Sequence, residues 1–191
     1  MKNIAIFASG EGTNAQNIID YFKSGTLGLQ VTLVISNNPK ANVLNRAKNA
    51  GVSTYIVDRN SFYESDQVID ILKSANIDLI ALAGFLWKIP EHLIQNFTNK
   101  IINIHPALLP KYGGKGMYGM NVHKAVVDAK EKQSGISIHF VNENYDEGQL
   151  ISQHTCTIED ADTPEILAQK IHQLEQEFFP KVICELFAGN N

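Results

Sequence analysis

Asn103 and His105 lie two residues apart in the segment I-I-N-I-H-P-A-L-L-P, residues 101–110. An amide and an imidazole at that spacing could belong to an acid/base site. Ile101, Ile102 and Ile104 read as a buried strand, in which residues i and i+2 share a side. Both polar groups then emerge together at the strand's carboxyl end. Pro106 and Pro110 stop the strand and stiffen the loop that follows. In open α/β sheets that edge is where ligands bind. A carboxylate reaching His105 would complete an acid/base unit, and Asp146 in Y-D-E-G is the candidate. Asp146 also reads as plain turn chemistry, and with Glu143 and Glu147 as a solvated loop. Spacing alone does not decide between these.

A second site candidate is S-G-E-G-T-N, residues 9–14, directly after the first apolar run. Gly10 and Gly12 let the backbone approach a ligand and take positive φ. Thr13 and Asn14 add a hydroxyl and an amide at a helix start, where free N–H groups and the dipole favour an anion. The plainer reading is a tight strand–helix turn with an N-cap. The loop falls short of a dinucleotide fingerprint because Ala15 stands at the third glycine position. The G/A variant of that fingerprint keeps a nicotinamide or flavin enzyme open. The acid it requires after the second strand is missing, since that place reads S-N-N-P-K. A mononucleotide phosphate fits better than NAD.

Six histidines are present, and none forms a metal motif such as H-E-x-x-H. His92, His123 and His172 fall on amphipathic helices and read as solvated. His139 and His154 fall in a strand pair, with His139 able to line the site. Cys156 and Cys184 have no metal spacing, which points to reduced thiols and a cytoplasmic setting. No metal is expected. The net charge of −4 gives no electrostatic footprint for nucleic acid. The apolar run in M-K-N-I-A-I-F-A-S-G is too short for a signal segment. No stretch approaches the roughly 18 apolar residues of a membrane span.

These groups need a scaffold, and 191 residues with 44% hydrophobic content suit one domain. Strands are expected at 4–8, 31–36, 54–57, 77–83 and 101–105. They alternate with helices after the glycine loop, at 41–50 and at 61–75. That alternation predicts a doubly wound, mostly parallel α/β sheet. Strands at 136–141 and 149–157 then read as an antiparallel C-terminal hairpin. A long final helix runs over about 163–187, with Thr163 as N-cap and Pro164 at N1. Pro180 should kink or restart it.

Four segments together carry a family resemblance. They are S-G-E-G-T-N, A-G-F at 83–85, N-I-H-P-A-L-L-P at 103–110, and G-I-S-I-H-F-V followed by D-E-G-Q over 135–149. With them the chain resembles the folate-dependent formyltransferases of Rossmann-like fold, and among them the phosphoribosylglycinamide branch of purine synthesis. The resemblance implies Asn103, His105 and Asp146 as the catalytic set. It implies Gly12, Thr13, Asn14, Gly84 and Glu175 on the phosphoribosylglycinamide side. Arg59, Leu86, Trp87, Lys88, Ile89, Asn103, Asn142, Glu143 and Asn144 fall on the folate side. The family commonly reads A-G-F-M-R-I-L where this chain has A-G-F-L-W-K-I-P. Residues 1–100 would form the nucleotide- and phosphate-binding half, and 101–191 the catalytic and folate-binding half.

The implied reaction moves the formyl group of 10-formyltetrahydrofolate, a co-substrate, to the amine of phosphoribosylglycinamide. Asn103 and a protonated His105 would hold the formyl oxygen, with Asp146 raising the imidazole's pKa. Partners would be small molecules only, with no nucleic acid or membrane, in a monomer or homodimer. The glycine-rich loop 111–120 reads as a lid. Three alternatives stay open: formyl transfer to another amine, hydrolysis of the formylfolate, and a non-catalytic nucleotide-binding module.

Overall fold

The computed structural model describes residues 1–25 and 27–188. The chain divides into two compact units, Met1–Ile102 and the part from Asn103 onward. The first unit holds β1 (Lys2–Phe7), α1 (Thr13–Phe22), β2 (Leu29–Ser36), α2 (Asn42–Asn49) and β3 (Ser53–Ile56). It continues with α3 (Arg59–Tyr63), α4 (Gln67–Ser74), β4 (Ile77–Leu82) and α5 (Glu91–Asn96). Its strands lie in the order β3-β2-β1-β4, and every pair is parallel. The runs Ile4–Phe7 and Val34–Ser36 are wholly buried, as Val/Ile-rich strands covered on both faces should be. β2 and β4 flank β1, so the strand order reverses there. The loop after β1, residues 8–12, therefore sits at a topological switch point, where α/β sheets bind ligands.

The division falls inside β5 (Ile101–His105). The second unit adds α6 (Met120–Asp128), β6 (Gln133–Phe140), β7 (Leu150–Thr157) and α7 (Pro164–Ala188). β6 and β7 pair antiparallel, with Ile136 opposite His154 and Ile138 opposite Ser152. Leu167, Ile171, Phe179, Val182 and Ile183 form the buried stripe of α7. Thr163 begins that helix as expected, its Oγ1 accepting from the Ile166 N–H at 3.3 Å. The α/β class, the parallel strand–helix alternation, the antiparallel hairpin and the long last helix all stand as read from the sequence.

Local differences have local causes. The helix expected over 61–75 is two helices. Asp58 and Ser61 form a capping box that starts α3 at Arg59, and the chain restarts at Asp66 for α4. α7 runs through Pro180 without a break, with that proline buried on its packed side. His123 is buried, not solvated, because it shares the inward face of α6 with Val122 and Val126. His154 stacks on Phe178, with ring centroids 3.6 Å apart.

Candidate active site

β5 delivers Asn103 and His105 as the alternation requires, and in the second unit Asp146 reaches both. His105 Nδ1 lies 3.5 Å from Asp146 Oδ2. Asn103 Nδ2 donates to Asp146 Oδ1 at 3.4 Å and to His139 Nε2 at 3.2 Å. Asp146 sits in the left-handed region at φ 56, which aspartate and asparagine tolerate better than most residues. Two residues on, a Cβ at Gly148 would lie 1.7 Å from the Phe140 carbonyl oxygen. The D-x-G spacing thus follows from backbone geometry: a tolerated turn at Asp146, then a close approach only glycine permits.

Hydrogen bonds fix both imidazole tautomers. His105 Nε2–H donates to the Tyr112 carbonyl at 2.8 Å, which leaves the Nδ1 lone pair toward Asp146 in the neutral ring. His139 Nδ1–H donates to the Phe140 carbonyl at 2.8 Å, so its Nε2 accepts from Asn103. The Asp146 carboxylate also accepts from the Gly114 N–H at 2.9 Å. Burial raises the Asp146 carboxyl, but the adjoining His139 and His105 rings and the Gly114 N–H outweigh it. The carboxyl ends below its usual range. His105 goes the other way from the sequence expectation. Burial depresses its pKa, and the upward pull of Asp146 and the Tyr112 carbonyl does not recover the loss. The resting imidazole, 3% exposed, is therefore neutral near pH 7. Sequence reading identified the carboxylate partner and underrated the burial.

Glu175, on α7, accepts from His172 Nδ1 at 3.2 Å. Its charge raises His105 and His123, which puts it in electrostatic reach of the same cluster. Asn142, Glu143 and Asn144 lie in the β6–β7 loop, where the Asn142 side chain accepts from the Asn144 N–H at 3.0 Å.

In the first unit, Gly12 is the N-cap of α1 at φ 73, and no side chain caps the helix. A Cβ there would meet Val43 at 2.5 Å, so the loop needs glycine at this point. Thr13 and Asn14 are the first two residues of the helix. Asn42 and Arg46 of α2 brace Glu11, through its carboxylate at 3.2 Å and its carbonyl at 2.8 Å. Ser9 N–H donates to the Gly84 carbonyl at 3.0 Å, and Ser9 Oγ accepts from the Leu86 N–H at 2.9 Å. That ties the loop after β1 to the A-G-F-L segment. Arg59 lies over the Trp87 ring at 5.1 Å, Leu86 is exposed, and Ile89 is buried. The Lys88 carbonyl accepts from Tyr63 Oη at 3.1 Å.

Comparison with known proteins shows the family of this chain. Residues 2–183 match the family model described as formyl transferase. The chain belongs to the formyl transferase family. It is 37% identical to the chloroplastic phosphoribosylglycinamide formyltransferase of Arabidopsis thaliana over 96% of its own length, and spans 66% of that protein. It is 34% identical to the Bacillus subtilis phosphoribosylglycinamide formyltransferase, covering 100% of this chain and 97% of the relative. A solved phosphoribosylglycinamide formyltransferase from Bacillus halodurans aligns with a TM-score of 0.88 at 34% identity, covering 100% of this chain and 97% of that one. The resemblance read from the four sequence segments therefore holds, and so does the fold it implied.

Sequence reading of this formyl transferase left His139 open, and it missed the Tyr112 carbonyl and the Gly114 N–H. The last two are backbone groups, which no side-chain pattern announces. The buried imidazoles carry a pH signature. His105, His123 and His154 are all depressed, each chiefly by burial, while the Glu175 hydrogen bond raises His172. A depressed histidine binds fewer protons folded than unfolded, so its contribution is present above the ordinary pKa of 6.5 and is lost on acidification. With three such groups against one, the urea midpoint is expected to be lower at about pH 5.5 than at about pH 7.5. A midpoint that is flat or higher at the acid end would contradict this balance.

Proposed function

We propose that this formyl transferase moves the formyl group of 10-formyltetrahydrofolate to the amine of phosphoribosylglycinamide, giving the N-formyl product and tetrahydrofolate in purine synthesis. The observation that carries the reading is Asn103 and His105 meeting Asp146 in a chain of this family. The names of the relatives, at 34–37% identity, supply the acceptor, phosphoribosylglycinamide. Gly12, Thr13, Asn14, Gly84 and Glu175 take the phosphoribosylglycinamide. Arg59, residues 86–89 and residues 142–144 take the folate. Residues 1–100 serve as the phosphate-binding half and 101–191 as the catalytic half. The reaction uses no metal and takes place in the cytoplasm.

The amine nitrogen attacks the formyl carbon, and negative charge develops on the formyl oxygen. Asn103 Nδ2 has one well-placed bond to His139 and a longer one to Asp146. Exchanging the longer bond for the oxyanion costs little and puts a donor where charge appears. The amine proton passes to His105 Nδ1, the acceptor end of a neutral ring. Asp146 Oδ2, 3.5 Å away, stabilises the imidazolium that forms. As the bond to N10 breaks, the imidazolium returns that proton to the folate nitrogen. Formyl goes from nitrogen to nitrogen with no acyl-enzyme.

The deciding experiment mixes the protein with 10-formyltetrahydrofolate and phosphoribosylglycinamide and follows tetrahydrofolate release. Release is expected only with the ribonucleotide present. Equal release without it would replace this reading with a hydrolase. Calorimetric binding of nucleotide with no affinity for a folate analogue would replace it with a binding module.

A further inference from the structure

The chain between Lys111 and Gly114 touches both members of the acid/base pair through its backbone. The Tyr112 carbonyl accepts from His105 Nε2–H, and the Gly114 N–H donates to Asp146 Oδ2. This arrangement opposes what the pair would do alone. A neutral imidazole beside a carboxylate gains most by putting its proton on the facing nitrogen. Here that nitrogen is Nδ1, and a proton resting there would close it to the incoming amine proton. The Tyr112 carbonyl draws the proton to Nε2 instead.

Tyr112 achieves this in the left-handed region, at φ 57, which is rare for an aromatic residue. Such a conformation persists only when its surroundings hold it. The hold is outside the site. Tyr112 Oη donates to Glu131 Oε1 at 2.9 Å, and Lys111 Nζ donates to the same oxygen at 2.8 Å. Glu131 lies between α6 and β6, outside the residues proposed for catalysis and substrate binding. We infer that Tyr112 and Glu131 are positioning residues: their hydrogen bond braces the Tyr112 peptide, which sets the tautomer of His105 and keeps Nδ1 free to accept a proton. The inference rests on the proposed role of His105 as proton acceptor, but the brace itself is readable in the free protein.

The test uses ¹⁵N-histidine-labelled protein, with the His105 signals assigned by their loss in His105→Gln. Wild type is expected to show His105 protonated at Nε2 near neutral pH. Tyr112→Phe and Glu131→Ala remove the brace and should bring in the Nδ1–H tautomer. Their kcat should fall about tenfold, the scale of one neutral hydrogen bond, with both KM values within about twofold of wild type. Glu131→Gln keeps an acceptor for the Tyr112 hydroxyl and should restore both tautomer and rate. An unchanged tautomer in both Tyr112→Phe and Glu131→Ala would overturn the brace. A changed tautomer with unaltered kcat would uphold the brace and remove His105 from the proposed chemistry.

Discussion

Asp146→Asn is expected to lower kcat by about 10³-fold while the binding of both substrates survives, a loss in the range of positioned acid/base groups. The substitution keeps the shape of the site. Asparagine tolerates the left-handed backbone at φ 56 as well as aspartate does, and its amide oxygen still accepts the Gly114 N–H. The charge goes, and with it the acceptor that Asn103 Nδ2 uses, because the amide has a single oxygen. His105 then has no counter-ion for the imidazolium it must become, in a site where burial already disfavours that form. The sign of the pH effect follows. Asp146 raises His105, so removing it lowers the imidazole further, and the acid limb of residual activity should move to lower pH. Steady-state kinetics across pH, with thermal melting as a folding control, checks both. Turnover near wild type would take Asp146 out of the mechanism.

Asn103→Ala is expected to lower kcat by about 10²–10³-fold, the usual cost of one oxyanion donor, with KM changed far less. The variant also leaves His139 Nε2 facing a gap. That ring cannot turn its N–H inward, because Nδ1–H is committed to the Phe140 carbonyl. The lost donor is therefore not replaced from within the site. Asn103→Asp is the informative companion: it fills the space but supplies an acceptor where a donor is needed, so it should be no better than alanine. Loss of less than about threefold in Asn103→Ala would place the oxyanion elsewhere.

Much of this was legible in the residues. Period-two alternation in I-I-N-I-H fixes that Asn103 and His105 share a strand face, because side chains on a strand alternate. Continuous apolar runs at Ile4–Ala8 and Ile77–Ala83 announce strands covered on both faces, and hence a parallel sheet with helices around it. Glycine at position 12 announces a positive φ, since the loop turns there into a helix that no side chain caps. The motif spacing marks the family, and the family model agrees.

Tertiary structure decided the rest. Asp146 comes within 3.5 Å of His105 through the fold of the second unit, across a separation in sequence that no local spacing encodes. The sense of the His105 shift required its burial, which outweighs the neighbouring charge and makes the resting ring neutral, against the simple rule that a carboxylate raises a histidine. His123 reads as solvated by position, and only the packing of α6 against α7 reveals it as buried. The tautomer of His105 depends on a single backbone carbonyl, on a residue held in an uncommon conformation by a glutamate 19 positions away. The sequence determined the family, the kind of sheet and the groups proposed for the chemistry. The packed structure alone determined their charge and the placement of their protons, because both depend on desolvation and on backbone dipoles that have no signature in residue type.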